Sequence, residues 1–492
     1  MFQNIPEVKL GIVSVSRGNF VPTTSIRRMK ALAASYESKY GPVYQCPIIV
    51  RNEEEAIDAA ADVKAAGCNA LCVLLGNFGP ETPETILGQI FGGPVMYCAA
   101  AEENKEVLAF ERGDAYCGLL NCSYNLGLRN INAFIPDRPV GDGEALAEEL
   151  YRFSKISCAV LGVANLKIIT FGPRPADFLA CNAPIKPLFN LGVEIEENSE
   201  LDLLQAYQAH ANDPRIPEIM EEIRAEIAIS DMIEGILPKL AQYELTLLDW
   251  AKEHKGSRKY VAFANKCWPA FQPAFGFTPC AVNGRLAAKG IPVSCEVDIY
   301  GALSEYIGQC LSEQPVTLLD INNTVPADLH AEAVKGYRLN ETFMGFHCGN
   351  ASACLLKKPV LKEHLILKRG LEPDKEADIT RGTMEGDFKD GPVTLFRLQS
   401  NAEGQLKAYM AQGEVLDVPT HSFGSIGIIA ISEMERFYRY VLIQKRYPHH
   451  AAVAFGHYGD LLFDIFKILG VTDISYNQPR NLPYPNENPY RW

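Results

Sequence analysis

A chain of 492 residues, 47% hydrophobic and 22% charged, is globular in composition and too long for one core, so roughly two to four domains are expected. The formal charge of −14 provides no Lys/Arg stripe to neutralise phosphates, which excludes a nucleic-acid partner, and no apolar run is long enough to cross a bilayer, which excludes a membrane partner. None of the 14 cysteines forms a CxxC pair and most sit in apolar runs such as NALCVLLG and KISCAVLG; they read as reduced, buried thiols. With no signal-peptide pattern in MFQNIPEVKLGIVSVSRG, the expected location is the cytoplasm.

In chain order, residues 1–155 alternate β-rich runs (VKLGIVSVS, VYQCPIIV, NALCVLLG, PVMYCAAA) with helical stretches, the pattern of a parallel α/β domain. The layer is Rossmann-like, yet no GxGxxG opens a helix, so a dinucleotide site is unsupported. A second α/β domain is expected over 156–318, with LKIITFGPRP as strand then loop and a long acidic helical region near 199–254. Over 319–492 the runs GPVTLFRLQ, LKAYMAQGEVLDV and GSIGIIAIS predict a mostly antiparallel, barrel-like β domain. The fold class is α/β: two Rossmann-like parallel domains followed by a β-rich C-terminal domain.

Two carboxylates stand out. IPVSCEV and PVTLLDI read as apolar strands joined by a helix, a β–α–β step that would make them parallel near neighbours about 4.8 Å apart. Glu296 and Asp320 then sit at their carboxyl ends, where open α/β sheets collect ligands. Asp298 reads as the cap of the intervening helix. Histidines lie in RYPHHAAVAFGHYGD and FMGFHCGNASA; strand alternation predicts that His449 and His450 point to opposite faces and cannot share a cation, and His457 and His347 are further candidates. Two carboxylates and one imidazole suit Mn²⁺, Mg²⁺ or Co²⁺ with coordination positions open to substrate. Vicinal sugar oxygens could fill those positions while a ligand carboxylate moves a proton between C1 and C2.

The strings CEVDIYGAL, LLDINN, GFHCGNAS and HHAAVAFGHYGDLLFDIFKILG resemble, in order and spacing, the site segments of L-fucose isomerases and, more distantly, of L-arabinose isomerases. The resemblance implies a Mn²⁺-dependent aldose–ketose isomerase acting on a small sugar through an ene-diol. It implies that Glu296, Asp320 and His450 ligate the cation and that Glu296 and Asp320 are the acid/base pair. His347 matches a position that ligates in the arabinose enzymes only. The resemblance further implies a homo-oligomer whose sites are completed by a neighbouring subunit's N-terminal domain. On that basis Arg17, Asn77 and Phe78 are candidate substrate contacts, as are Trp268 and Gln272 in KCWPAFQPAFGF. Two alternatives stand beside this reading. Arg17, Arg174 (in FGPRPADF) and Lys266 could bind an anionic sugar substituent, as in a sulfoquinovose isomerase acting on a 6-sulfo sugar; or paired α/β domains could form a non-catalytic sugar-binding protein.

Overall fold

The computed structural model describes residues 3–229 and 231–490. Pro6–Leu161 pack as one compact unit, and Met1–Ile5 with Gly162–Trp492 as a second. The division between the two units falls inside the helix Gly143–Val163.

The first unit is built on β1 (Leu10–Val15), β2 (Tyr44–Gln45), β3 (Ala70–Leu75), β4 (Val95–Ala100) and β5 (Val140–Gly141), all parallel in the order β2-β1-β3-β4-β5. Every residue of β1, β3 and β4 is buried, as expected of central strands covered by helices on both faces. Asn52 opens the helix Glu53–Ala65 by accepting the Glu55 N–H at 2.9 Å. The strand order reverses between β1 and β3, the switch point at which such sheets form a crevice.

The second unit begins with β6 (Leu166–Phe171), β7 (Glu194–Asn198), β8 (Ala228–Ile229), β9 (Tyr260–Ala264) and β10 (Val293–Ser294). Four of these make a parallel sheet in the order β10-β9-β6-β7. The remaining strands are β11 (Thr317–Thr324), β12 (Thr342–His347), β13 (Val360–Glu363), β14 (Arg381–Asp387), β15 (Gly391–Ser400), β16 (Leu406–Val415), β17 (Ser425–Ala430), β18 (His450–Phe455) and β19 (Asp473–Tyr476). Six of them pair antiparallel in the order β16-β15-β18-β11-β12-β17, and the β16–β17 pairing closes the ring into a barrel. Barrel and parallel sheet share one apolar cluster, from Ile169, Phe171 and Phe263 to Leu319, Leu395, Ile429 and Val453, which fuses them into a single unit.

One expectation about strand pairing is overturned. β10 and β11 are not parallel neighbours: β10 pairs with β9 in the parallel sheet, whereas β11 lies between β18 and β12 in the barrel. The buried helix Ile299–Ser312 carries the chain from one sheet to the other instead of returning it to the same sheet.

The first unit also buries an acid that has no ion-pair partner among the described residues. Glu84 is fully buried, and neither of its carboxyl oxygens meets a hydrogen-bond partner among the described residues. Burial pushes its pKa up to about 8, although the Cys122 thiol and Arg17 pull the other way. An acid raised in the fold stays protonated there and ionises on unfolding, so stability falls as pH rises from the ordinary 4.5 toward about 8. Glu84→Gln should match the wild type near pH 4.5 and exceed it by about 2–4 kcal/mol at pH 8 in urea unfolding. A difference that does not change with pH would exclude a neutral buried carboxyl.

Candidate active site

The parallel sheet delivers Glu296 from a strained turn. One residue separates β10 from Glu296 and Val297, which both adopt left-handed backbone angles, φ 58° and 57°. For a β-branched valine this is an outlier costing ~1–3 kcal/mol, a conformation that persists only where the surroundings impose it. Here the Val297 N–H donates to the Asn265 carbonyl at 2.9 Å, and the Asn265 N–H donates to that of Ser294 at 3.0 Å. Asn265 is itself fixed by Asn283, its Nδ2 lying 3.0 Å from Asn283 Oδ1. The turn presents the Glu296 carboxylate: Oε1 accepts from Trp268 Nε1 at 3.1 Å, and Oε2 lies 3.0 Å from His450 Nε2.

The barrel delivers the other two groups. Asp320 on β11 and His450 on β18 are directly opposed cross-strand partners, so their side chains share a face. Asp320 Oδ1 lies 3.5 Å from His450 Nε2 and 3.5 Å from His449 Nε2. The expected separation of the two histidines does not hold. β18 begins at His450, so His449 lies outside the regular strand where alternation applies, and both rings reach the same carboxylate.

Asp298 governs the orientation of His450. It caps the helix Ile299–Ser312 by accepting the Gly301 N–H at 2.8 Å, takes a 2.8 Å hydrogen bond from His450 Nδ1, and binds Arg397 in bidentate fashion at 2.8 and 2.9 Å. Asp298, Arg397 and His450 are each no more than 1% exposed. Burial raises the Asp298 carboxyl's pKa, but the Arg397 charge and the His450 bond outweigh it and hold the acid well below its ordinary value.

With Nδ1 committed to Asp298, His450 Nε2 faces two carboxylate oxygens at 3.0 and 3.5 Å, yet among the described residues it has no partner in hydrogen-bond geometry, and Asp320 Oδ1 has none either. Such close but misaligned donor atoms suit ligation of a common cation better than mutual hydrogen bonding. A carboxylate on the far nitrogen is the usual support of a ligating imidazole. Two sets of three donor atoms lie wholly within 4.8 Å of one another, Cys181/Glu296/His450 and Asp320/His449/His450. Both contain His450, one with Glu296 and the other with Asp320; among the described residues no such set holds both carboxylates together. The predicted donor set, two carboxylates with one imidazole, fits Mn²⁺, Mg²⁺ or Co²⁺, whereas the two observed sets add the Cys181 thiol and the His449 imidazole. Without a cation, the charges divide as follows. Burial raises the Glu296 carboxyl, but the adjacent His450 imidazolium outweighs it and brings the acid below its ordinary value. Burial drives Asp320 up to about 6, with Glu296 adding to the rise and His450 opposing it.

Aromatic rings wall the site: Phe178 lies 6.0 Å from Trp268, 5.6 Å from His449 and 6.0 Å from His450. His347 is buried with its ring 6.1 Å from that of His450. Its Nδ1 accepts the Cys348 N–H at 2.9 Å, which leaves the proton of the neutral ring on Nε2 as a donor. Burial lowers the His347 pKa to about 3, keeping the ring neutral.

The other predicted residues are more dispersed. Gln272 is fully buried and its amide donates to the Cys267 carbonyl. Arg174 is half-buried on the loop that carries Phe178 and has no ion pair among the described residues, whereas Lys266 is neutralised by Glu200 at 3.0 Å. His457 reaches the Gly413 carbonyl at 3.0 Å. Arg17, Asn77 and Phe78 gather in the first unit at the carboxyl ends of β1 and β3. There Asn77 Oδ1 accepts the Arg17 N–H at 3.0 Å, and the Arg17 guanidinium stacks 4.5 Å from the Phe78 ring. Sequence reasoning missed Arg397, Phe178, Cys181 and the orienting role of Asp298. A charged residue inside the apolar run GPVTLFRLQ was the one signal available for Arg397.

Removing one partner of a buried ion pair strands the other. Asp298→Ala should therefore cost ~3–5 kcal/mol in urea unfolding, because it leaves the Arg397 charge unpaired; an unchanged midpoint would refute the network.

The family described as "Fucose/sulfoquinovose isomerase, N-terminal domain" matches residues 11–164, and that described as "L-fucose isomerase, C-terminal domain" matches residues 345–476, together more than half of the chain. The sulfoquinovose isomerase of Priestia megaterium (strain ATCC 12872 / QMB1551) is 26% identical over 347 residues, 70% of this chain and 71% of the relative. Proteins of the same name from Alkalicoccus urumqiensis and Clostridium sp. (strain MSTE9) are 25% identical over 317 residues and 29% over 288, covering 63% and 58% of this chain and 65% and 59% of the relatives. No helix among the described residues is long and apolar enough to cross a membrane. The chain belongs to the fucose/sulfoquinovose isomerase family and is an aldose–ketose isomerase.

Proposed function

We propose that this isomerase uses a divalent cation, Mn²⁺ in preference to Mg²⁺ or Co²⁺, held by Glu296, Asp320 and His450, and that its substrate is a 6-sulfo sugar, sulfoquinovose. The observation that carries the metal reading is His450 Nε2, buried, without a hydrogen bond among the described residues and facing two carboxylates while Asp298 holds the opposite nitrogen. A bound cation supplies Lewis acidity, offsetting the negative charge that builds on adjacent sugar oxygens.

The chain's own groups do the rest. Glu296 and Asp320, which approach His450 from the parallel sheet and the barrel, take a proton from C2 and return it to C1 through the ene-diol. Trp268 holds Glu296 Oε1 and so fixes the direction of Oε2. Phe178 and Trp268 exclude water and pack against the C–H face of the ring, and His347 Nε2–H donates to a sugar oxygen. Arg174, unpaired on the Phe178 loop, binds the sulfonate; the relatives named sulfoquinovose isomerase support that choice. A neutral sugar, L-fucose, is the second reading, favoured by the C-terminal family match.

A homo-oligomer is part of the same proposal. The helix Ala115–Leu128 exposes Tyr116, Leu120, Tyr124 and Leu128 by 61–72% at four-residue spacing, an apolar stripe suited to a second copy. Arg17, Asn77 and Phe78 would complete a neighbouring copy's site. A cytoplasmic location, where thiols stay reduced, suits the fourteen free cysteines.

Glu296→Gln and Asp320→Asn should each lower kcat by ~10²–10⁴-fold while circular dichroism is unchanged. Chelation should silence the wild type and Mn²⁺ should restore it; full turnover in excess chelator would end the metal reading. Arg174→Ala should raise KM for sulfoquinovose by ~10–100-fold and leave that for a neutral aldose nearly unchanged. Equal effects on both sugars would discard the sulfonate assignment and favour the neutral substrate.

A further inference from the structure

Behind the Glu296 turn, three thiols and an imidazole converge in a place the isomerase chemistry does not use. Cys267 follows β9, Cys295 follows β10, Cys280 opens the helix Cys280–Ala288, and His364 precedes the helix Leu365–Leu371. All four are 1–3% exposed. Donor atoms of Cys267, Cys280 and His364 lie within 4.8 Å of one another, and Cys295 joins Cys267 and Cys280 in one buried cluster. No CxxC spacing announces the cluster, because its members come from four separate elements.

Apolar packing of small thiols does not account for the imidazole. His364 Nδ1 accepts the Leu367 N–H at 3.3 Å, so the neutral ring carries its proton on Nε2, and that buried Nε2–H has no acceptor among the described residues. An orphaned buried donor costs ~1–3 kcal/mol unless something anionic faces it. Thiolate sulfur is such a group, and buried thiolates are tenable when a soft cation neutralises them.

We propose that Cys267, Cys280 and Cys295 hold a soft, thiophilic cation as thiolates, with His364 Nε2–H donating to a coordinated sulfur. One proton leaves to solvent for each sulfur–cation bond formed. Bonds of about 2.3 Å to thiolate place neighbouring sulfurs about 4 Å apart, inside the 4.8 Å that encloses the donor atoms of Cys267, Cys280 and His364; Cys295 joins them from the same buried cluster. The role is structural. Cys295 immediately precedes strained Glu296, and Cys267 immediately precedes Trp268, which fixes Glu296 Oε1, so the cation clamps both supports of the carboxylate. This site is distinct in donor set from the oxygen-rich one and does not depend on the substrate reading.

The test is expression in medium containing ¹¹³Cd²⁺ followed by purification under reductant. The wild type should show thiolate-to-cadmium charge transfer and a ¹¹³Cd resonance in the sulfur-rich region. It should also carry one more Cd²⁺ per chain than Cys280→Ser, which loses both signals. Cys181→Ser, whose thiol lies beside His450, should keep them. A wild type with no sulfur-rich resonance overturns the proposal, as do signals that survive Cys280→Ser or vanish with Cys181→Ser. So does a Cys267–Cys280 cross-linked peptide in the native chain, which would make the cluster a disulfide. The wild-type spectrum decides the matter even where Cys280→Ser fails to fold.

Discussion

The hydrogen bond between His450 Nδ1 and Asp298 sets the plane of the imidazole and commits its other nitrogen to face Glu296 and Asp320. A buried carboxylate in that position is costly by itself, and the bidentate Arg397 contact with the Gly301 amide satisfies it. Arg397 is in turn aligned by Gln399 Oε1 at 2.6 Å from its Nε. A helix cap, a strand of β15 and the first residue of β18 are thereby tied together before any ligand arrives. An electrostatic site acts well only if its dipoles need not reorganise, and this network provides that condition.

The site draws on two architectures that respond differently to load. The barrel is closed by β16–β17 and has no free edge between β11 and β18, so the relation of Asp320 to His450 is set by ladder register. Glu296 has no such ladder. It rides on a two-residue strand followed by two left-handed residues, a conformation sustained by Asn265, Trp268 and the packing beneath them. The continuous apolar cluster from Ile169 to Val453 keeps the two parts in register, and the thiol-rich pocket behind Glu296 supports its less constrained side.

Much of this was legible in the sequence wherever local pattern decides structure. Continuous apolar runs such as ALCVLL marked buried parallel strands, Asp298 was identifiable as a helix cap, and Glu296 and Asp320 were conspicuous because each ends an apolar run. β11 itself continues past Asp320 to Thr324, so Asp320 lies inside its strand and not at the carboxyl end. What periodicity does not carry is which sheet a strand joins. IPVSCEV and PVTLLDI look like one β–α–β step, yet the helix between them leads into a different sheet, a choice made by long-range packing. The same limit applies to His449, because alternation presumes a regular strand and β18 starts one residue later. Arg397 reaches Asp298 from 99 positions away, and Cys267, Cys280, Cys295 and His364 meet from four elements. No local spacing records such encounters.

The electrostatics of the chain sharpen the question of substrate. A surface at −14 repels an anionic sugar at long range, so recognition of a sulfonate requires a cation that the protein has not already neutralised. Of the three candidates read from the sequence, Lys266 is paired with Glu200, and Arg17 faces Glu81 at 3.7 Å while stacking on Phe78. Arg174 alone of the three has no acidic partner among the described residues, and it sits on the loop whose Phe178 lines the wall beside His449 and His450. Selectivity between a charged and a neutral sugar therefore turns on the pairing state of a few cations, more than on how many the chain contains. A guanidinium without a carboxylate partner supplies a planar, bidentate contact to an oxyanion at no cost of breaking an existing pair.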